Sequence, residues 1–285
     1  MSYSWPFYDQ EQINRVTEVI ASGKVNYWTG NEGKNFEKEF ASWCGTKYAV
    51  AVSNGSVALS LALHALGIKR GDEVIVPPRT FVATASAPAL IGAIPVFVDV
   101  DKTSQAITAN TIESFITERT KAICVVHLGG WPAEMKAIID LAKSKNIAVI
   151  EDCAQAHGGR INNKSVGSFG DVACWSFCQD KIISTLGEGG MITTSRSDLY
   201  EKIWSLKDHG KERELSLSKV DPRRKEFRWL HNDFGTNLRL TEVQSAVGRI
   251  QLERLEEWNK KRNKNANILT NILESCPSVR VPRPG

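Results

Sequence analysis

Short apolar runs, each followed by a segment with helical spacing, recur through the first two-thirds of the chain. This alternation constrains the fold more than any other feature of the sequence. YAVAVSNG reads as a strand closing in a Ser-Asn-Gly turn, and SVALSLALHALGI places apolar residues at helical spacing directly after it. DEVIVPPRTFVATASAPALIGAIPVFVDV continues with a strand at 74–76, a stop at Pro77-Pro78, a helix through 83–91 and a strand at 94–98. AICVVHL, a helix from about Pro132 to Lys143, IAVIEDCAQAHGG, DVACWSF and GGMITTS extend the pattern. Short apolar strands separated by helices predict an α/β fold with a largely parallel central sheet covered by helices on both faces. In such a sheet, ligands gather beyond the carboxyl ends of the strands.

Further on, Thr241 and Gln244 are spaced as a capping box. Val243, Val247, Ile250, Leu252, Leu255 and Trp258 mark an amphipathic stripe along one long helix. The closing SVRVPRPG reads as a strand that begins a smaller unit, so the expectation is a truncated chain with an incomplete small C-terminal α/β domain. The 285 residues, 42% of them hydrophobic, suffice for one substantial core and part of a second unit. The expected division is an N-terminal arm (1–30), a large domain (31–240), and a connecting helix with the start of the small domain (241–285).

Several function classes lose support from composition. No run approaches the ~18 apolar residues of a membrane span, and MSYSWPFYDQEQ carries neither a basic leader nor an apolar signal core. The cysteines, Cys44, Cys124, Cys153, Cys174, Cys178 and Cys276, are scattered without a CxxC pair, which fits reduced thiols and a cytoplasmic location. Between Lys202 and His231 there are nine Lys or Arg against five Asp or Glu, a surplus equal to the +4 of the whole chain. That stretch reads as a polar loop whose Arg223-Arg224-Lys225 run could meet phosphate or face water. No aromatic-basic interleaving or zinc-finger spacing accompanies it, which argues against a nucleic-acid partner.

The residues that could carry chemistry follow the strand ends. At Ser53-Asn54-Gly55-Ser56, glycine permits a tight turn, helix-start amides are free to donate and Ser56 adds a hydroxyl, together a phosphate seat or an ordinary capped turn. GxxxxGK[ST] and a well-placed GxGxxG are both absent, which disfavours nucleotide hydrolysis and the dinucleotide fold. Asp152 closes a buried strand and needs a positive or proton-donating partner; a protonated pyridine nitrogen would serve, as would a salt bridge. Gln155 and His157 are spaced to approach the same edge, although a core position for His157 is equally consistent. Phe81 could stack on a flat heterocycle or pack in the core, and Ser176 could add a hydroxyl to the phosphate seat. Lys181, in SFCQDKIISTLGEGG, places an amine on a tight glycine-rich loop. There it could hold an aldehyde cofactor as an imine and then move a proton, or lie plainly on the surface.

Taken together, SNGS, TFVAT, EDCAQAHGG, SFCQDK, GEGGM and GTNLRLTEVQSAVG resemble, in order and spacing, the sugar aminotransferases named after DegT, DnrJ, EryC1 and StrS, over roughly residues 7–265. The resemblance implies fold type I of the pyridoxal-phosphate-dependent transferases, with 31–240 as the cofactor-binding domain. It also implies a homodimer with shared active sites, an amino-acid donor, usually glutamate, and a nucleotide-linked keto sugar as acceptor. Carried over by similarity, Gly55, Ser56 and Ser176 bind phosphate, Phe81 stacks on the ring, Asp152 pairs with its nitrogen and Gln155 lies near its oxygen. Lys181 forms the imine, and Asn237 reaches the partner's cofactor phosphate. Tyr27, Trp28, His157 and Arg239 are the expected substrate contacts, and no metal is expected. Cys153, Cys178-Gln179-Asp180 and Tyr27-Trp28-Thr29-Gly30 depart from the family's usual residues, while the retained lysine favours transamination over the dehydration of relatives that carry histidine there. Two other classes remain open to the residues: a sensor or scaffold that keeps the fold without amine transfer, and a metal hydrolase using Cys124, His127, Cys153 and His157.

Overall fold

The computed structural model describes residues 5–217 and 230–282. The Arg223-Arg224-Lys225 run lies outside the described residues. In chain order the strands are β1 (Tyr48–Val52), β2 (Glu73–Val76), β3 (Ile94–Phe97), β4 (Thr120–Val126), β5 (Ala148–Asp152), β6 (Arg160–Ile161), β7 (Lys164–Ser165), β8 (Val172–Ser176) and β9 (Gly190–Thr194). The helices are α1 (Gln10–Ala21), α2 (Glu32–Cys44), α3 (Gly55–Ala65), α4 (Ala83–Leu90), α5 (Ala109–Glu113), α6 (Met135–Ser144), α7 (Ser197–Lys207), α8 (Arg213–Leu217) and α9 (Glu242–Glu274).

Seven strands form one sheet in the order β1-β9-β8-β5-β4-β2-β3, and β6 and β7 pair as a separate hairpin. The pairs from β8 through β5, β4 and β2 to β3 are parallel. β9 runs against both β8 and β1, which leaves β1 pointing the same way as β8. Register brings Val126 and Asp152, the last residues of β4 and β5, level with Cys174 in the middle of β8. Ser176 pairs with Gly190 one strand further on. The residues expected at a ligand edge therefore share one edge of one sheet.

Both faces are covered, as the apolar runs require. On one face Val50, Val74, Cys124, Ile150 and Ile192 pack with Leu59 and Leu63 of α3 and Ile203 of α7. On the other, Ala173, Trp175 and Met191 meet Phe36 and Phe40 of α2 and Leu252 and Leu255 of α9. Further along that second face, Ile123 and Val149 meet Ile138 and Ala142 of α6. Because successive side chains of a strand point to opposite faces, Ile150 and Asp152 share one side while Val149 and Glu151 share the other.

Three local expectations are corrected. The helix expected from Pro132 begins at Met135, because the Ala133 amide donates to His127 Nδ1 at 3.1 Å and holds that stretch out of helical geometry. The polar stretch after Lys202 is not simply a loop: α7 runs through Lys207, and Arg213–Leu217 forms α8. The strand expected in SVRVPRPG is not formed in its described part, 278–282, which begins in a turn and finds no ladder partner among the described residues. The capping box is present as expected: Thr241 Oγ1 accepts from the Gln244 amide at 3.3 Å, and Gln244 Oε1 accepts from the Thr241 amide at 3.2 Å.

One residue beyond that cap, the buried Glu242 joins two helices. Its carboxylate accepts the amides of Glu32 at 2.6 Å and Gly33 at 3.0 Å, two donors that the first turn of α2 cannot satisfy internally. Burial raises the Glu242 pKa against the lowering effect of these amide bonds. Glu242→Ala leaves both amides unpaired in the interior and is expected to lower unfolding stability by about 1–3 kcal/mol, measured by urea denaturation.

Candidate active site

The carboxyl ends of β1, β5 and β8 and the loop before α4 enclose a cavity of about 600 Å³. Asp152 lies on its wall and is 6% exposed. Its Oδ2 accepts from Thr84 Oγ1 at 2.8 Å, its Oδ1 accepts from the Ala154 amide at 3.1 Å, and Thr84 Oγ1 is in turn 2.8 Å from Thr80 Oγ1. Burial raises the Asp152 pKa, and these two neutral donors oppose the rise without cancelling it. The carboxylate thus carries a desolvation cost that a cation in the cavity would offset.

At the other end of the cavity α3 begins. Asn54 Oδ1 accepts from the Val57 amide at 2.9 Å, so asparagine, rather than a serine, caps the helix. Gly55, Ser56 and Ser176 line the cavity there, at the positive end of the helix dipole. The approach of helix to sheet requires glycine. A Cβ on Gly55 would lie 2.7 Å from Ser176 Cβ, and one on Gly190 would lie 2.6 Å from the Asn54 carbonyl.

Lys181 sits on the tight turn after β8, where its amide donates to Cys178 O at 3.0 Å and Trp5 Nε1 donates to its carbonyl at 2.8 Å. Its Nζ lies 2.8 Å from Asp180 Oδ2, and both residues line the cavity. Phe81 is 67% exposed on the same lining, so it is not the core residue that its type allowed. Gln155 accepts from the Gly129 amide through Oε1 at 2.8 Å, which leaves its Nε2 as a donor.

Other expected residues lie elsewhere. His157 is on the far side of the sheet from Asp152, 1% exposed, with its ring centroid 5.4 Å from that of Trp175 and 5.8 Å from that of Phe177. Burial, followed by the charge of Lys181, pushes its pKa down to about 3. The turn after β5 directs the ring into the aromatic cluster, so that it does not line the cavity. Tyr27 and Trp28 are drawn inward by a buried cation and do not line the cavity. Lys207 Nζ is 4.0 Å from the Tyr27 ring centroid and 3.3 Å from Glu37 Oε1, Tyr27 donates to Glu37 Oε2 at 3.0 Å, and Trp28 packs edge-on against Trp204. Arg239 Nη1 donates to the buried Asp208 at 2.7 Å, which places it too outside the cavity lining. Asn237 bridges to Asp208, and Leu238 O, beside it, accepts from the Ser53 amide at 2.9 Å.

Motif spacing alone did not single out Thr80, Thr84, Asp180 or Glu188, all of which bear on the cavity. The threonines are legible only in retrospect, as polar residues flanking an apolar helix start. Glu151 was also missed as a support: His127 Nε2 donates to it at 3.0 Å, and the amides of Gly167, Phe169 and Gly170 each donate at 2.7 Å. Burial raises its pKa, but these bonds, His127 foremost, bring it below the usual value. His127, Glu151 and Cys153 place ligand-type atoms within 4.8 Å of one another. Both imidazole nitrogens are committed to hydrogen bonds, however, and so are both oxygens of Glu151.

The family model described as the DegT/DnrJ/EryC1/StrS aminotransferase family matches residues 6–284. The chain belongs to this family. It is 44% identical over 243 residues to a UDP-N-acetyl-3-dehydro-alpha-D-glucosamine 3-aminotransferase of Acidithiobacillus ferrooxidans, covering 85% of this chain and 62% of that relative. A crystallised aminotransferase of Psychrobacter cryohalolentis superposes with a TM-score of 0.93 at 49% identity, over 99% of this chain and 71% of that one. A GDP-4-keto-6-deoxy-D-mannose-3-dehydratase of E. coli, solved with hydrated pyridoxal phosphate (PLP) bound, superposes at 0.89 and 29% identity, over 98% and 75%. The chain thus spans 62% to 75% of the length of these relatives, less than two-thirds of the Acidithiobacillus ferrooxidans enzyme. The expected family and its type I α/β fold are borne out by these matches.

Asp152→Asn removes a carboxylate whose folded pKa lies above its unfolded value. The wild-type, ligand-free protein binds more protons than its unfolded chain in that window, so its stability falls as pH rises from about 4 through the raised pKa. The Asn variant is expected to lack this fall and to melt higher at neutral pH, by calorimetry across pH 4–8.

Proposed function

We propose that the protein is a PLP-dependent aminotransferase that moves an amino group from an amino acid, L-glutamate, to a nucleotide-linked keto sugar. The observation that carries this reading is a single cavity lined by Lys181, Asp152 and the Gly55-Ser56-Ser176 seat. These residues fit the cofactor chemically: a buried carboxylate bonded to neutral donors, a lysine amine across the same space, and a helix start held too close to the sheet for any side chain at position 55.

Gly55, Ser56 and Ser176 would hold the phosphate, Asp152 the ring nitrogen, Phe81 the ring face and Lys181 the aldehyde carbon. When bound there, PLP supplies an electron sink for the pair released as an α proton departs, and carries the amino group from donor to acceptor. Lys181 Nζ would take the α proton from the donor and deliver it to the former aldehyde carbon of the cofactor, acting first as base and then as acid. Asp152 would keep a proton on the ring nitrogen, with Thr84 and Ala154 fixing the carboxylate plane. Gln155 donates through Nε2 because the Gly129 amide occupies Oε1. For the acceptor half, the same Nζ delivers its proton to the carbon of the sugar that becomes the amine.

The functional unit in this reading is a cytoplasmic homodimer in which Asn237 reaches the phosphate seat of the second copy. Support comes from Phe234, fully exposed three residues before Asn237 on a segment fixed to Ser53 through Leu238. All six cysteines are free, and no described helix is long and apolar enough to cross a membrane.

With the full-length protein, PLP, glutamate and a panel of nucleotide-linked 3-keto and 4-keto sugars, the expected product is an amino sugar identified by mass. Borohydride is expected to fix the cofactor on the peptide containing Lys181. Lys181→Ala is expected to lower amine transfer by at least about 10³-fold. Unchanged turnover in that variant overturns the mechanism, and a bound cofactor without any product favours a sensor role.

A further inference from the structure

The turn that carries Lys181 is held by residues from the other end of the chain. Trp5 Nε1 donates to the Lys181 carbonyl at 2.8 Å. The indole is itself gripped by α9: its ring lies edge-on to Trp258 at 5.4 Å between centroids, and the Arg262 guanidinium is 5.4 Å from the ring centroid. Further along the same segment, Tyr8 Oη is 3.1 Å from Ser184 Oγ, which also accepts the Gly187 amide at 3.2 Å. Gln12 Oε1 accepts from Gln251 Nε2 at 3.0 Å, and Gln251 Oε1 accepts the Ser184 amide at 2.8 Å. Gln12, Ser184 and Gln251 are all buried. Arg254 of α9 donates to Asp9, the N-cap of α1, at 2.6 Å and so fixes the segment between these contacts. None of Trp5, Tyr8, Gln12 and Gln251 lines the cavity, so any effect they have on it passes through the loop.

We propose that the segment 5–12 is a clasp on the loop of the reacting lysine, with Trp5 the positioning residue that aims Nζ. This rests on the function proposed above. Peptide groups are planar, so φ and ψ alone set the direction in which a side chain leaves the backbone. Before the Lys181 Cα, the amide is held by Cys178 O at 3.0 Å; after it, the carbonyl is held by Trp5. With both planes anchored, the Cα–Cβ bond has one direction.

In the reading above, the amine meets first the α carbon of the donor and then the former aldehyde carbon of the cofactor. A misplacement of about 1 Å at such a step can cost about a hundredfold in rate. Without the indole N–H, the plane after Lys181 is free to rock. Water reaches the partly exposed contact and satisfies the carbonyl, so the fold loses little while the aim of the side chain broadens.

The test compares full-length wild type with Trp5→Phe, which keeps a ring against Trp258 and Arg262 and removes only the donor, and with Tyr8→Phe. In cofactor-free protein, amide hydrogen exchange read by peptide mass is expected to rise about three- to tenfold across 179–187 in Trp5→Phe, and to stay at the wild-type level at the start of α3. In PLP-loaded protein, the same variant is expected to lose about tenfold in kcat with the KM for glutamate within about twofold, and to melt within about 2 °C of wild type. The circular dichroism of the bound cofactor is expected to change with it. Tyr8→Phe is expected to act in the same direction and less, because Gln251 still holds the Ser184 amide. Exchange and kcat at the wild-type level in Trp5→Phe overturn the proposal, as does a loss of activity that follows a general fall in melting temperature. If exchange rises in the variant while wild type transfers no amine to any sugar of the panel, the function reading fails and the hold on the loop stands.

Discussion

The two carboxylates at the end of β5 face opposite sides of the sheet, and the organisation of the site depends on that division. Glu151 is saturated by one imidazole and three backbone amides, so its carboxylate is fully hydrogen-bonded inside the protein. Its bonds fix the turn after β7 through the amides of 167–170 and the turn after β4 through His127. Asp152, one residue on, receives two neutral donors, feels the charge of Lys181 and still has its pKa raised by burial on the wall of the cavity. A one-residue slip in the register of β5 would exchange these environments, leaving a solvated charge where the structure needs a satisfied one.

Much of the fold was legible because its signals are local. Apolar runs of strand length alternating with helical stripes require a sheet covered on both faces, and the Thr241–Gln244 spacing marked the start of α9. The convergence of Gly55, Ser56, Phe81, Asp152, Gln155, Ser176 and Lys181 on one cavity was also accessible, since each follows the end of a strand pointing the same way. Residues whose positions depend on long-range neighbours were not legible. Tyr27 and Trp28 are drawn inward by Lys207 and Trp204, far along the chain, and nothing near position 27 announces a buried cation. His157 was expected at the ligand edge, but the direction of its ring depends on Trp175 and Phe177 across the sheet. The stretch after Lys202 reads as a polar loop from its basic surplus, whereas Lys207 is buried in α7, where Glu37 and an aromatic face compensate its charge.

The segment around Asn237 links parts of the molecule that the sequence presents as separate. Leu238 accepts from Ser53 and donates to Lys207 O, so the same short stretch touches the loop before the phosphate seat and the buried cation beneath Tyr27. Arg239 and Asp208 fasten its other end. The aromatic packing of the N-terminal third and the geometry at the start of α3 are therefore mechanically continuous.

A buried carboxylate whose desolvation is only partly offset also bears on how the molecule fares in a cell. Whatever supplies a counter-charge to Asp152 binds the native state alone and shifts the folding equilibrium by mass action. Under the proposed function, that counter-charge comes from a vitamin B6 derivative. Nutritional scarcity would then reduce not only turnover but also the amount of enzyme that survives proteolysis, so supply of the vitamin and abundance of the protein would rise and fall together.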